Sequence, residues 1–118
     1  MPLTIKQRSK SDVMVLDIAG RLWILDLPLR DLMNRLLSEG NQQFVLNLTG
    51  VDYIDSSGLG ELVSAYTTVR NKQGDVKLLN LTSKAKDLLQ MTKLLTVFDV
   101  YDDEAKAVSA LKASKTSA

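Results

Sequence analysis

The chain contains neither histidine nor cysteine, and each absence removes a class of chemistry. A serine nucleophile needs a general base that titrates near neutrality, and histidine is the usual one, so no Ser-His-Asp arrangement is available to any serine here. Without thiolates there is neither a disulfide nor a cysteine nucleophile. Without imidazole as well, tight zinc, copper or iron sites lack their ligands, and only carboxylate binding of hard cations is left. The missing cysteine also suits a reducing compartment. Aromatic residues make up 5% of the chain, so the core has to be aliphatic. Neither sign of charge is in excess: 15 Lys and Arg stand against 14 Asp and Glu, and the net +1 offers no footprint for nucleic acid or anionic lipid. No apolar run approaches the roughly 20 residues of a membrane span, and Met1–Arg8 lacks the apolar stretch of a signal peptide. The expectation is a cytoplasmic protein with no direct membrane insertion, no nucleic-acid partner, no cofactor and no metal.

What is present is the composition of an ordinary globular domain: 118 residues, 45% hydrophobic and 25% charged. Leu3 and Ile5, then Val13 to Ile18, read as two strands joined by a Lys10-Ser11-Asp12 turn, a hairpin. Leu22 to Leu25 form an apolar approach to a helix whose first turn carries Asp26 and Pro28. Leu29, Leu32, Met33, Leu36 and Leu37 share one helical face, and Gly40 stands where a C-terminal cap belongs. Phe44 to Leu48 is a strand, closed by an Asn-Leu-Thr-Gly break. Leu59, Leu62, Val63, Tyr66 and Val69 mark the next helix, which Gly74 stops. Val76 to Leu81 is a strand, Thr82 or Ser83 caps a helix with Ala85, Leu88 and Leu89 inward, and Val97-Phe98-Val100 is a last short strand. Asp102 or Asp103 caps a terminal helix with Ala105, Val108 and Leu111 on one side. That role also accounts for the acidic run Asp102-Asp103-Glu104 without a metal. Lys84, Lys86 and Lys93 read as a solvated helix face. Strand–helix alternation from Phe44 onward implies parallel crossovers beside an antiparallel hairpin. The fold is therefore α/β (α+β mixed), with a mixed sheet of four to five strands and about four helices packed on it. The domain spans 1–112 and a flexible tail 113–118.

The most informative stretch is Asp55-Ser56-Ser57-Gly58-Leu59-Gly60-Glu61, which follows the short apolar run Val51-Asp52-Tyr53-Ile54 and opens the second helix. Asp55 or Ser56 can cap the helix, and the hydroxyls then lie where backbone N–H groups lack partners and the dipole is positive, a good place for a phosphate. Gly58 and Gly60 leave the turn without bulk for an approaching enzyme. A phosphate there adds about −1.5 to −2 charges at a favourable helix end, so the fold need not change. With Asp52, Asp55 and Glu61 nearby, the same dianion repels any acidic surface docked over it. The residues alone leave Ser56 and Ser57 as alternatives for the modified hydroxyl. Capping by itself also explains the tetrad, since Asp, Ser and Gly cluster at helix starts generally.

This stretch, together with the Gly20-Arg21-Leu22 turn and the strand Phe44 to Leu48, resembles the bacterial anti-sigma-factor antagonists, the single-domain members of the STAS family. The resemblance runs from about Leu3 to Leu111. It implies a small mixed sheet with packed helices and a phosphorylatable switch with no enzymatic activity of its own. It implies phosphorylation at Ser57, with Ser56 as second choice, by a serine kinase that doubles as an anti-sigma factor. Unmodified protein binds that kinase and frees the sigma factor, phosphorylation ends the binding, and a phosphatase restores it. Asp55 matches the family's aspartate, which caps the helix and presents the serine. The implied partner-binding motif is Asp55, Ser56, Ser57, Gly58, Leu59, Gly60 and Glu61, with Trp23 as an interface anchor if it faces solvent. Arg21 to Leu27 is more apolar than the polar stretch expected of antagonists. The expected state is a monomer or weak dimer. Two other readings stand beside this one. STAS-like domains also serve as scaffold subunits of stress-sensing assemblies or lipid-transport complexes. A phosphate-binding loop for nucleotide hydrolysis would use the same helix start, but no Gly-x-x-x-x-Gly-Lys-Ser/Thr loop exists here.

Overall fold

Alternation of apolar residues gives β2 (Val13–Leu22) two buried faces: Leu16, Ile18 and Leu22 on one, Val13 and Val15 on the other. In the computed structural model, which describes residues 3–93 and 96–116, that strand organises the sheet. β1 (Thr4–Lys10) pairs with it antiparallel through a two-residue turn in which Ser11 (φ 52) and Asp12 (φ 69) both take the left-handed conformation of a tight hairpin. β3 (Gln43–Ile54), β4 (Asp75–Leu79) and β5 (Asp99–Tyr101) follow in parallel, in the order β1-β2-β3-β4-β5.

The crossovers are α1 (Leu29–Ser38), α2 (Ser56–Asn71) and α3 (Ser83–Met91), and they pack on the same face. Leu29, Met33, Leu36, Leu59, Leu62, Ala65, Val69 and Leu89 join Leu16, Phe44, Leu46 and Leu78 in one core, worth about 1.5–3 kcal/mol for each large side chain fully buried. Among the described residues α4 (Glu104–Thr116) alone covers the other face, where Ala107, Val108 and Leu111 meet Val13, Val15, Val45 and Leu79. Its capping residue is Asp103, whose Oδ1 accepts from Ala105 N at 2.8 Å. An ionic latch holds it to the hairpin: Arg8 bonds Asp17 at 2.6 Å and Glu104 at 2.7 Å, and Lys10 bonds Glu104 at 3.0 Å. The hydrogen bonds from Arg8 are the largest of the effects holding the Asp17 and Glu104 carboxyls below their ordinary range.

Several expectations from the sequence need correction. The Asn-Leu-Thr-Gly stretch does not end a strand, because β3 continues to Ile54. Its register against β2 slips between Asp17 and Ala19 and again between Gly20 and Arg21, so the residues facing the helices run Leu46, Leu48, Val51, Ile54. Each slip inserts one residue and breaks the two-residue period by which a strand is recognised. Asp26 is not in the first turn of α1. Its N–H closes a turn onto Trp23 O at 2.9 Å, and its Oδ2 accepts from Leu3 N at 3.1 Å. Pro28 stands at the N-cap. Ala107 is buried in α4 where Ala105 was expected, and that helix runs on to Thr116, into the segment expected as tail. The last strand is Asp99–Tyr101, and Phe98 before it belongs to the core. Gly40 closes α1 as expected, at φ 99, with Asn41 N donating to Leu36 O at 3.1 Å.

Candidate functional site

The Ser-Ser motif stands at the end of the sheet where β2 and β3 finish and α2 begins. Asp55 is the cap: its backbone is extended, and its Oδ1 accepts from Gly58 N at 2.8 Å. Ser56 and Ser57 are then the first two residues of the helix, Ser56 exposed and Ser57 half-buried, with no oxygen of the Asp55 side chain committed to their N–H groups. Gly58 is there for approach. A Cβ added to it would lie 2.0 Å from the carbonyl oxygen of Leu22, so only glycine lets the helix start rest on the end of β2. Gly60 has open space around it and keeps the outer side of the turn clear. Leu59 is core.

Glu61 departs from the expectation of an acidic surface beside the serines. It is 9% exposed, and its Oε1 accepts from Arg30 N at 2.7 Å, capping α1, whose own N-cap Pro28 offers no side-chain acceptor. The surface acidity near the motif therefore comes from Asp52 and Asp55, and Glu61 instead ties the two helix starts together.

Asp55 also reaches out of its own helix. Its Oδ2 accepts from Ile24 N at 3.2 Å, and its N–H donates to Leu22 O at 3.4 Å. These bonds bring the turn Trp23–Asp26 beside the serines, and its tip carries Ile24 and Leu25, 64% and 75% exposed. At its root Trp23, half-buried, meets Tyr53 edge to face at 6.3 Å, and the Arg21 guanidinium lies 5.3 Å from the Trp23 ring centroid and 5.6 Å from that of Tyr53. Trp, Tyr and Arg beside exposed aliphatics are the composition of protein-contact hot spots. The apolar run Leu22 to Leu25 was the sequence signal for this tip, although it read as the approach to a helix.

Other features stay apart from the motif. Among the described residues no three carboxylates gather where they could hold a metal ion. A broad crevice of about 1160 Å³ opens between the starts of α3 and α4, lined by Thr49, Thr82, Lys86, Tyr101 and Lys106, and it includes neither serine. The buried Lys77 bridges Asp75 and Asp99. Burial pushes its ammonium down, but the bonds to the two carboxylates outweigh that and hold it above its usual value. No described helix is long and apolar enough to cross a membrane.

A mixed sheet with three crossover helices on one face, one helix on the other and a capped Ser-Ser helix start defines the class of protein. The STAS domain family matches residues 5–107, and the chain belongs to that family. The chain is 26% identical over 117 residues, 95% of this chain and 97% of the relative, to the anti-sigma F factor antagonist of Paenibacillus polymyxa. It is 30% identical over 95 residues, 80% of this chain and 85% of the relative, to the anti-sigma-B factor antagonist of Bacillus subtilis (strain 168). An anti-sigma factor antagonist from Mycobacterium paratuberculosis has the same fold, with a TM-score of 0.82 over 93% of this chain and 94% of that one at 19% identity.

Proposed function

We propose that this chain is an anti-sigma-factor antagonist that works by partner switching in the cytoplasm, with Ser57 as the modified residue. The observation that carries the reading is the start of α2. Ser57 lies half-exposed in a first turn stripped of bulk at Gly60, beside helix N–H groups that Asp55 leaves free. Relatives along nearly the whole chain bear the antagonist name.

In the unmodified state the α2 start, with the Ile24–Leu25 tip next to it, docks on an anti-sigma factor that is also the serine kinase, and the sigma factor goes free. Phosphate transfer to Ser57 adds about −1.5 to −2 charges, which the helix dipole and free N–H groups accommodate within the fold. The partner surface does not accommodate them, because it was complementary to a neutral hydroxyl, and complex formation fails. A phosphatase resets the switch. The chain contributes a surface and an acceptor hydroxyl, and the chemistry belongs to its partners. Ser57 rather than Ser56 is assigned from the family resemblance, since both hydroxyls occupy the first turn.

Affinity capture from the native host with wild-type and Ser57→Asp protein as baits tests this. A small ATP-binding kinase retained by the wild type and lost with Ser57→Asp supports the switch, and Ser57→Ala retains the kinase while resisting modification. Retention of the same partners by wild type and Ser57→Asp sinks it, and recovery of a large assembly or transporter indifferent to Ser57 favours a scaffold role.

A further inference from the structure

The Asp55 carboxylate serves two chain segments at once. Oδ1 accepts from Gly58 N at 2.8 Å within the first turn of α2, while Oδ2 accepts from Ile24 N at 3.2 Å in the loop that follows β2. The root of that loop is held by Asp26 N donating to Trp23 O, by Leu3 N donating to Asp26 Oδ2 and by Trp23 against Tyr53, while its tip exposes Ile24 and Leu25 to solvent.

We propose that Asp55 is a positioning residue that makes the pose of the Ile24–Leu25 tip depend on the phosphorylation state of Ser57. This rests on Ser57 being the modified residue. A neutral hydroxyl at Ser57 leaves the carboxylate free to hold both donors. A phosphate there places about −1.5 to −2 charges two residues from Asp55, so that two anions share one positive helix end. The singly charged carboxylate is the weaker of the two, and repulsion from the dianion turns it away. Of its two bonds, the one to Ile24 is longer and exposed, so water can replace the lost acceptor there at little cost. The tip is thereby released, and modification changes the shape of the apolar contact beside Ser57 as well as its charge.

The test is NMR-detected amide exchange on the isolated chain carrying phosphoserine at position 57. The expected result is an Ile24 amide exchanging about tenfold faster or more, equivalent to ~1.4 kcal/mol of opening free energy, while Val45 and Leu46 in the centre of β3 stay unchanged. Asp55→Asn supplies the second variant. Asparagine caps a helix as well as aspartate but has one acceptor oxygen and no charge, so Ile24 exchanges fast already without phosphate, and phosphoserine adds nothing. Unchanged Ile24 exchange on phosphorylation overturns the proposal, as does acceleration shared equally with Val45 and Leu46. No partner takes part, so this coupling can fail while Ser57-dependent capture succeeds. Equally, it stands if Ile24 is released but no kinase is captured, in which case the antagonist reading falls.

Discussion

At α2 and at α3 the chain enters a helix in the same way. Asp55 and Thr82 each take an extended backbone, each is followed by a serine, and each side chain accepts from the N–H three residues on, at 2.8 Å to Gly58 and at 3.2 Å to Ala85. The two starts differ in what the rest of the molecule brings to them. At α2 the end of β2 presses its Leu22 carbonyl against Gly58, the Ile24 loop hangs from the second oxygen of Asp55, and Glu61 one turn on caps a neighbouring helix. At α3 the start faces an open crevice, and Ala85 has room for its Cβ. A cap is a local device common to helix starts, and here the long-range contacts set one of them apart.

The contrast can be broken most severely at the third helical position. Gly58→Ala should cost about 3 kcal/mol or more, because its Cβ meets backbone and no side chain can yield, and the urea midpoint measures it. A loss under ~1 kcal/mol would mean that α2 is no more tightly seated than α3. Next comes cap removal: Asp55→Ala should cost about 2 kcal/mol, for the cap and for Ile24, against about 1 kcal/mol for Thr82→Ala, which has only its own turn to serve. Equal losses would dissolve the difference.

A smaller effect comes from the opposite face, where exposed ion pairs flank the apolar core under α4. Asp17 and Glu104 are held below their ordinary values of 3.8 and 4.5, chiefly by Arg8, so their contribution is present above those values and is lost as pH falls through the lowered ones. The pairs are partly solvated, so the expected loss is about 1 kcal/mol or less, read as a drop in urea midpoint that Arg8→Gln flattens. Smallest is Gly60→Ala, which meets nothing within 4 Å and should stabilise the helix by up to about 1 kcal/mol. It places a methyl group beside Ser57, so on the proposed function it weakens partner docking without harming the fold.

The faces of α1 and α2 were legible in the sequence, and the α2 cap was narrowed to Asp55 or Ser56, because three-four spacing and capping are local properties. β3 beyond Leu48 was not, since its two register slips destroy the alternation that marks a strand. Asp26 and Glu61 were misplaced for a related reason. Both are acids near helix starts, but the N–H groups they satisfy belong to Leu3 and Arg30, 23 and 31 residues away, and no short-range rule reaches that far. The Ile24–Leu25 tip shared this fate, its apolar run being indistinguishable from the start of an amphipathic helix until Asp55 is seen to hold it out to solvent.

The central claim is that the charge on Ser57 decides whether the α2 start can be docked. Its most direct test is the dissociation constant of the purified kinase for the unmodified chain and for the chain carrying phosphoserine at position 57. The account predicts binding weaker by about a hundredfold or more on phosphorylation, two steps of ~1.4 kcal/mol each. Equal affinity of the two forms would contradict it.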